Sequence, residues 1–297
     1  MALGIGDDCA LLAPPAGQQL AVSTDTLVEG VHFPQACDPF LLGQRALAVS
    51  ASDLAAMGAT PLGFTLALTL PQADPAWLEG FARGLDHMAR DCSLALIGGD
   101  TTRGPLNMNL TVFGSVPVGQ ALTRGGARLG DLLCVGGSLG EAGGALELVL
   151  ARRQAPAAIA EPLLARYWAP QPQLALGQAL RGLATAALDI SDGLLADCGH
   201  IARASAVRLH IQAERLPASP ALEALLGPEA ALAAKLGAGD DYRLAFTLPA
   251  AALPGLQAQW PELCVIGRVE AGEGVVVSDG AGRDITPRQR GYLHFTE

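Results

Sequence analysis

The sequence predicts a mixed chain of two domains, layered as α/β or α+β. Three observations carry this. The chain has 297 residues, about twice the ordinary domain length of about 150. Hydrophobic residues make up 50% and charged residues 16%, which is far from the composition of a disordered chain. Strand-like and helix-like segments alternate through both halves, as they do where helices pack on sheets.

Residues 20–28 (LAVSTDTLV) read as a strand with polar residues at its end. Residues 40–57 read as an Ala- and Leu-rich helix, started by Asp38-Pro39 and stopped at Gly58. Residues 62–70 (LGFTLALTL) form a strong strand pattern, and Asp74-Pro75 opens a second helix over 76–90. Residues 94–97 read as a short buried strand running into a turn, Gly98-Gly99-Asp100-Thr101. Residues 107–118 alternate cleanly and predict a further strand. The Gly- and Arg-rich stretch 119–130 marks the expected boundary between a domain over 1–120 and one over 121–297.

Beyond it, 131–136 reads as a strand and 141–152 as a helix after a Gly-rich turn. Four prolines within 153–172 predict an irregular excursion with one short helix. Helices are expected over 174–183 and 193–205, and strands over 186–190, 207–212, 242–248, 264–269 and 275–278. Aromatics are only 4% of the chain, so its cores must be built from Leu, Val, Ile and Ala.

Composition excludes several classes. The net charge is −10 and Lys235 is the only lysine, so there is no basic face to displace counterions from nucleic acid. The same acidity disfavours anionic membranes, and no apolar run reaches the roughly 18 residues of a membrane span. The opening Met-Ala-Leu-Gly-Ile-Gly-Asp-Asp has no basic region ahead of an apolar one, so no secretory signal is expected. Six cysteines lie far apart with no CxxC pair, which reads as reduced thiols in a cytoplasmic protein. No GxxxxGK[ST] loop, GxGxxG turn or HExxH helix is present.

The chemistry concentrates in aspartates beside Gly, Ser and Thr: Gly6-Asp7-Asp8, Ser23-Thr24-Asp25, Ser52-Asp53, Gly99-Asp100-Thr101, Asp189-Ile190-Ser191-Asp192 and Gly239-Asp240-Asp241. Carboxylates and hydroxyls are hard ligands, suited to Mg²⁺ or Ca²⁺, and several together suit a nucleotide with more than one metal ion. Each site taken singly could equally be a helix cap or a turn. Asp53 differs, because it falls inside a predicted Ala-rich helix, where an unpaired carboxylate is costly.

The strings GIGDDCALL, STDTLVEGVHF, SDLAAMGA, GGDTTRGPL, ALTRGGARLGD, DISDGLLADCGHI and GYLHF, in this order from Leu3 to Phe295, resemble the thiamine-monophosphate kinase family. The resemblance implies a two-domain aminoimidazole ribonucleotide synthetase-like fold. It implies a homodimer whose N-terminal sheets pair, and ATP in a cleft between the domains with several Mg²⁺ ions on its phosphates. The implied reaction is ATP plus thiamine monophosphate to ADP plus thiamine diphosphate. Carried over by position, Asp8, Ser23, Thr24, Asp25, Asp53, Asp100, Asp189 and Asp192 would hold metal, with Asp25, Asp53 and Asp100 central to catalysis. Gly99, Asp100, Arg124 and Ser191 would meet ATP, and His32, Asp240 and Tyr292 the thiamine phosphate. Read alone, His32 could be an ordinary half-buried histidine, Arg124 a surface arginine and Tyr292 plain packing.

The sequence departs from the family pattern in places. The family carries roughly one more helix ahead of the first motif. Ser50 stands where the family has Asn, Gly239-Asp240-Asp241-Tyr242-Arg243 replaces Gly-Glu-Asp-Tyr-Glu, and Gln173 replaces an arginine. Three other readings compete: another ATP-using enzyme of the superfamily, a non-catalytic nucleotide-binding relative, and a calcium-stabilised structural protein, for which there is no EF-hand spacing.

Overall fold

The computed structural model describes residues 4–5, 8–288 and 291–292. The chain divides into two compact units, Met1–Ala121 with Trp168–Leu174, and Leu122–Tyr167 with Ala175–Glu297. Seven residues at the end of and just after the Pro-rich excursion therefore belong to the first unit although they follow a long stretch of the second.

The first unit runs β1 (Gln18–Val28), α1 (Pro39–Ala56), β2 (Thr60–Leu70), α2 (Pro75–Asp91), β3 (Leu96–Arg103) and β4 (Asn107–Pro117). Its sheet has the order β1-β4-β2-β3, antiparallel except for β2 beside β3. Both helices start as the sequence implies. Asp38 accepts from the Phe40 amide at 2.8 Å and Asp74 from the Ala76 amide at 3.0 Å, each with Pro at the first turn. Helix α1 packs on β1, β4 and β2, and nearly all its side chains are buried, Ser50 and Ser52 included.

The expected turn at Gly98-Gly99-Asp100-Thr101 is instead part of β3. Glycine pairs are poor strand formers, but tertiary pairing with β2 overrides local propensity. Gly99 has φ +153° and lies against the Leu66 backbone, where a Cβ would run into the Leu66 carbonyl oxygen. Gly99→Ala is therefore expected to destabilise the first unit by about 3 kcal/mol, read as a lowered urea midpoint.

The second unit contains β5 (Leu132–Val135), α3 (Glu141–Val149), α4 (Ala157–Trp168), α5 (Leu174–Ala179), β6 (Ala186–Asp189), α6 (Leu194–Ser205) and β7 (Arg208–Gln212). It continues with α7 (Pro220–Leu226), α8 (Pro228–Gly237), β8 (Leu244–Leu248), α9 (Leu253–Gln257), β9 (Cys264–Glu270) and β10 (Gly274–Ser278). Its sheet has the order β10-β7-β9-β5-β8-β6. Helix α6 packs on β10, β7 and β6 over a core that includes Leu133, Leu188, Ile190, Leu194, Ile201 and Ile266.

Helix α4 has 12 residues and contains Pro162, so the excursion is more ordered than its prolines imply. Its inner face is anchored by Leu163 and Tyr167, both fully buried. Helices α7, α8 and α9 escape the periodicity reading because they are short, with 7, 10 and 5 residues. Among the described residues no helix is long and apolar enough to cross a membrane.

Candidate active site

In the first unit, β1 and α1 bring three predicted residues together. Ser23 and Asp25 alternate onto the helix-covered face of β1, and Asp53 meets them from α1. The Ser23 hydroxyl donates to Asp53 Oδ2. Asp25 Oδ2 is buried with no hydrogen-bond partner. Burial and the neighbouring Asp53 push the Asp25 carboxyl up to about 6, against a hydrogen bond from Ser50 that lowers it. A buried anionic oxygen left without a donor, beside a second carboxylate, is costly unless a cation joins it.

The other first-unit residues lie elsewhere. Thr24 points to the opposite face of β1, where its hydroxyl meets that of Thr111 at 2.7 Å. Asp100 pairs across the sheet with Ala67, Asn109 and Thr26, whereas Asp25 is in row with Leu110, Leu66 and Gly99. Adjacent rows of a pleated sheet face opposite ways. Within one chain the sheet thus separates Asp100 from Asp25 and Asp53 rather than gathering them. Asp8 is exposed, and Asp7 lies outside the described residues. His32 accepts from the Val28 amide at its Nδ1, 3.0 Å, which puts the ring proton on Nε2. Among the described residues no three His, Cys, Asp or Glu side chains converge as a ready metal site.

In the second unit, residues far apart in sequence do converge. Asp189 ends β6 and is buried. The loop after it, 190–193, is bonded by backbone to two others. The Asp240 amide donates to the Ser191 carbonyl at 2.8 Å, the Tyr242 amide to Ile190 at 2.8 Å, and the Tyr292 amide to Asp192 at 3.0 Å. Predicted nucleotide residues and predicted substrate residues thus share one backbone cluster. Gly239 permits it, since a Cβ there would collide with the Ser191 carbonyl. Asp240 and Tyr242 both adopt left-handed backbone, φ +68° and +47°, which costs non-glycine residues energy and is typical of functional loops. The Tyr242 hydroxyl donates to Asp240 Oδ1 at 3.1 Å.

Arg124 is exposed and lies beside His200 of α6, whose pKa is lowered first by burial and then by Arg124 and Arg203, with Asp192 opposing.

Two carboxylates to which the sequence assigned no role, Asp241 of the Gly239-Asp240-Asp241 string and Asp197, hold this cluster. Asp241 accepts from the Gly140 amide with both oxygens at 2.9 Å, and burial pushes it up to about 8. Asp197 accepts from the amides of Ser191, Asp192 and Gly193. The signal for Asp197 was present in the string DISDGLLADCGHI, as an acid one turn inside a helix that follows a Gly start.

Residues 6–116 match the family described as AIR synthase related protein, N-terminal domain. Over 298 residues the chain is 47% identical to a thiamine-monophosphate kinase of Escherichia coli (strain K12), covering 99% of this chain and 92% of that one. It is similar to the crystal structure of thiamine-monophosphate kinase from Stenotrophomonas maltophilia K279a, with TM-score 0.88 and 48% identity over 93% of this chain and 90% of that one. It is also similar to AaThiL complexed with AMPPCP and TMP, with TM-score 0.85 and 31% identity over 95% of this chain and 89% of that one.

Proposed function

The chain belongs to the thiamine-monophosphate kinase family, and from that premise we propose how its residues divide the work. It has the aminoimidazole ribonucleotide synthetase-like fold and is a kinase. It transfers a phosphoryl group from ATP to thiamine monophosphate, giving thiamine diphosphate.

The observation that carries the residue assignment is the orphaned, buried Asp25 oxygen beside Asp53 and Ser23. Hard oxygen donors around an unsatisfied anion suit magnesium. We assign the metal-holding role to Asp8, Ser23, Thr24, Asp25, Asp53 and Asp100 in the first unit and to Asp189 and Asp192 in the second. When bound, magnesium supplies charge neutralisation between two polyanions. Gly99, Arg124 and Ser191 contact ATP in this reading. His32, Asp240 and Tyr292 contact thiamine monophosphate, and the exposed Tyr292 ring offers a face to its cationic heterocycle.

The acceptor is itself a phosphate, largely ionised near neutral pH, so the chain needs no strong base. Its residues orient the two phosphates in line and exclude a covalent enzyme intermediate from the reading. The separation of Asp100 from Asp25 within one chain supports a homodimer in which the partner contributes the missing carboxylate. Leu20 and Val22, on the face of β1 away from α1, are 43% and 55% exposed and give such a partner an apolar surface. Six free thiols support a reducing, cytoplasmic compartment.

The test is an end-point assay with purified protein, ATP, Mg²⁺ and thiamine monophosphate, reading thiamine diphosphate by chromatography. Product that disappears with EDTA is expected. ATP binding without product would select a non-catalytic relative or a different substrate.

A further inference from the structure

We propose that Asp197 is a positioning residue for phosphoryl transfer, whose buried carboxylate sets the conformation of the loop 191–193. This rests on the reading of Asp189, Ser191 and Asp192 as the second unit's nucleotide- and metal-binding residues. One oxygen, Asp197 Oδ2, accepts three successive backbone amides: Ser191 at 3.0 Å, Asp192 at 3.0 Å and Gly193 at 3.1 Å. Amides at a helix start have no partner in their own helix and are ordinarily capped from the preceding residue. Here that residue is Gly193, with φ +124° and no side chain to offer. Asp197, one turn inside α6, instead accepts from the three amides that lead into the helix, those of 191–193.

The position is an unfavourable one for a carboxylate. Asp197 is 4% exposed, with Leu194, Cys198 and Ile201 of the same helix buried around it, and a buried carboxylate is stabilised only by the bonds it accepts. Those bonds all go to the loop. They also orient it twice over, because each peptide points its two ends in different directions. In the 191–192 peptide the Asp192 amide faces Asp197 while the Ser191 carbonyl holds Asp240. In the 192–193 peptide the Gly193 amide faces Asp197 while the Asp192 carbonyl holds Tyr292. Asp197 therefore sets the aim of the nucleotide residues and, through the same peptides, of two substrate residues. It also occupies the amides of 191–193, which leaves none of these three N–H groups for a phosphate.

The experiment compares wild type, Asp197→Ala, Asp197→Asn and Asp192→Asn. Affinity for Mg²⁺–AMPPCP is read by calorimetry and amide exchange at 191–193 by mass spectrometry, with melting curves as the control for folding. Asp197→Ala is expected to weaken nucleotide binding at least about tenfold and to speed exchange at 191–193 at least about 100-fold, with exchange in β5 and β8 unchanged. Asp197→Asn keeps one acceptor oxygen but loses the charge, and should fall between. Folded Asp197→Ala with wild-type affinity overturns the proposal. Should Asp197→Ala fail to fold, Asp197→Asn decides: unchanged affinity or unchanged exchange overturns it, and an intermediate loss of both supports it. If Asp192→Asn also binds nucleotide normally, the reading of the loop as a nucleotide site is what fails. If Asp192→Asn binds weakly and Asp197→Ala normally, only the role of Asp197 fails.

Discussion

Replacing Asp25 with asparagine is expected to lower kcat by about 10³-fold while making the metal-free protein more stable above pH 6. The two effects have one cause. The Asp25 carboxyl is held at about 6 by burial and by Asp53, against an ordinary value of 3.8. Between about pH 4 and pH 6 the folded state therefore binds more protons than the unfolded state. Stability falls as pH rises through that window, and above pH 6 the full cost of the buried charge is present. A shift of about two units corresponds to about 3 kcal/mol, reduced to about 2 kcal/mol for the solvent that still reaches this partly exposed residue. Asparagine keeps the shape and removes the charge, so the melting temperature at pH 8 in EDTA should rise by about 4 °C or more. At pH 5 the gain should shrink, because wild-type Asp25 is then mostly neutral. Magnesium should raise the melting temperature of wild type at pH 8 and leave Asp25→Asn unmoved. A variant that keeps a tenth of wild-type kcat, or that gains no stability in EDTA, would remove Asp25 from the centre of the metal site.

Mixing Asp25→Asn protein with Asp100→Asn protein, each inactive alone, is expected to recover about a quarter of wild-type activity. Strands β1 and β3 are the two outer strands of the sheet, three strand spacings or about 14 Å apart. Asp25 and Asp100 also fall in adjacent rows of the pleat and face opposite sides. No rotamer of a carboxylate spans that separation, so Asp100 must serve the Asp25–Asp53 cluster of a second copy if it serves one at all. In the proposed homodimer, random exchange of subunits would make half of the dimers mixed, and each mixed dimer would have one intact site and one doubly altered site. Half of a half gives the quarter. Mixed dimers verified by mass spectrometry but without activity would show that both residues act from the same chain. Unmixed Asp100→Asn protein with full activity would take Asp100 out of the site altogether.

Much of the fold is legible in the sequence because its signals are local. Asp38-Pro39 and Asp74-Pro75 start α1 and α2 as their chemistry dictates, and the strict alternation of residues 107–117 identifies β4. The strand nature of GGDTTR and the ordered helix α4 were not legible. Both depend on partners elsewhere: β2 pairs along β3, and the buried Leu163 and Tyr167 anchor a helix whose prolines argue against it. The same division runs through the site. Asp53 stood out as a carboxylate inside an Ala-rich helix, and it meets Ser23 across 30 positions of sequence. Asp197 did not stand out, because an acid in a first helical turn is commonplace until its three amide partners are seen.

By itself the sequence determined the kinds of element, their order, and the inventory of carboxylates and hydroxyls that suits magnesium and phosphate. It did so because caps, turns and periodicity are properties of neighbouring residues. Only the tertiary structure decided which of those groups meet. It buried the Asp25 oxygen beside Asp53, turned Asp100 to the other side of the sheet, and tied 190–192 to Asp240, Tyr242 and Tyr292 by backbone bonds. The physical reason is register: pairing between strands distant in the chain sets which face each side chain takes, and a shift of one residue would exchange the two faces.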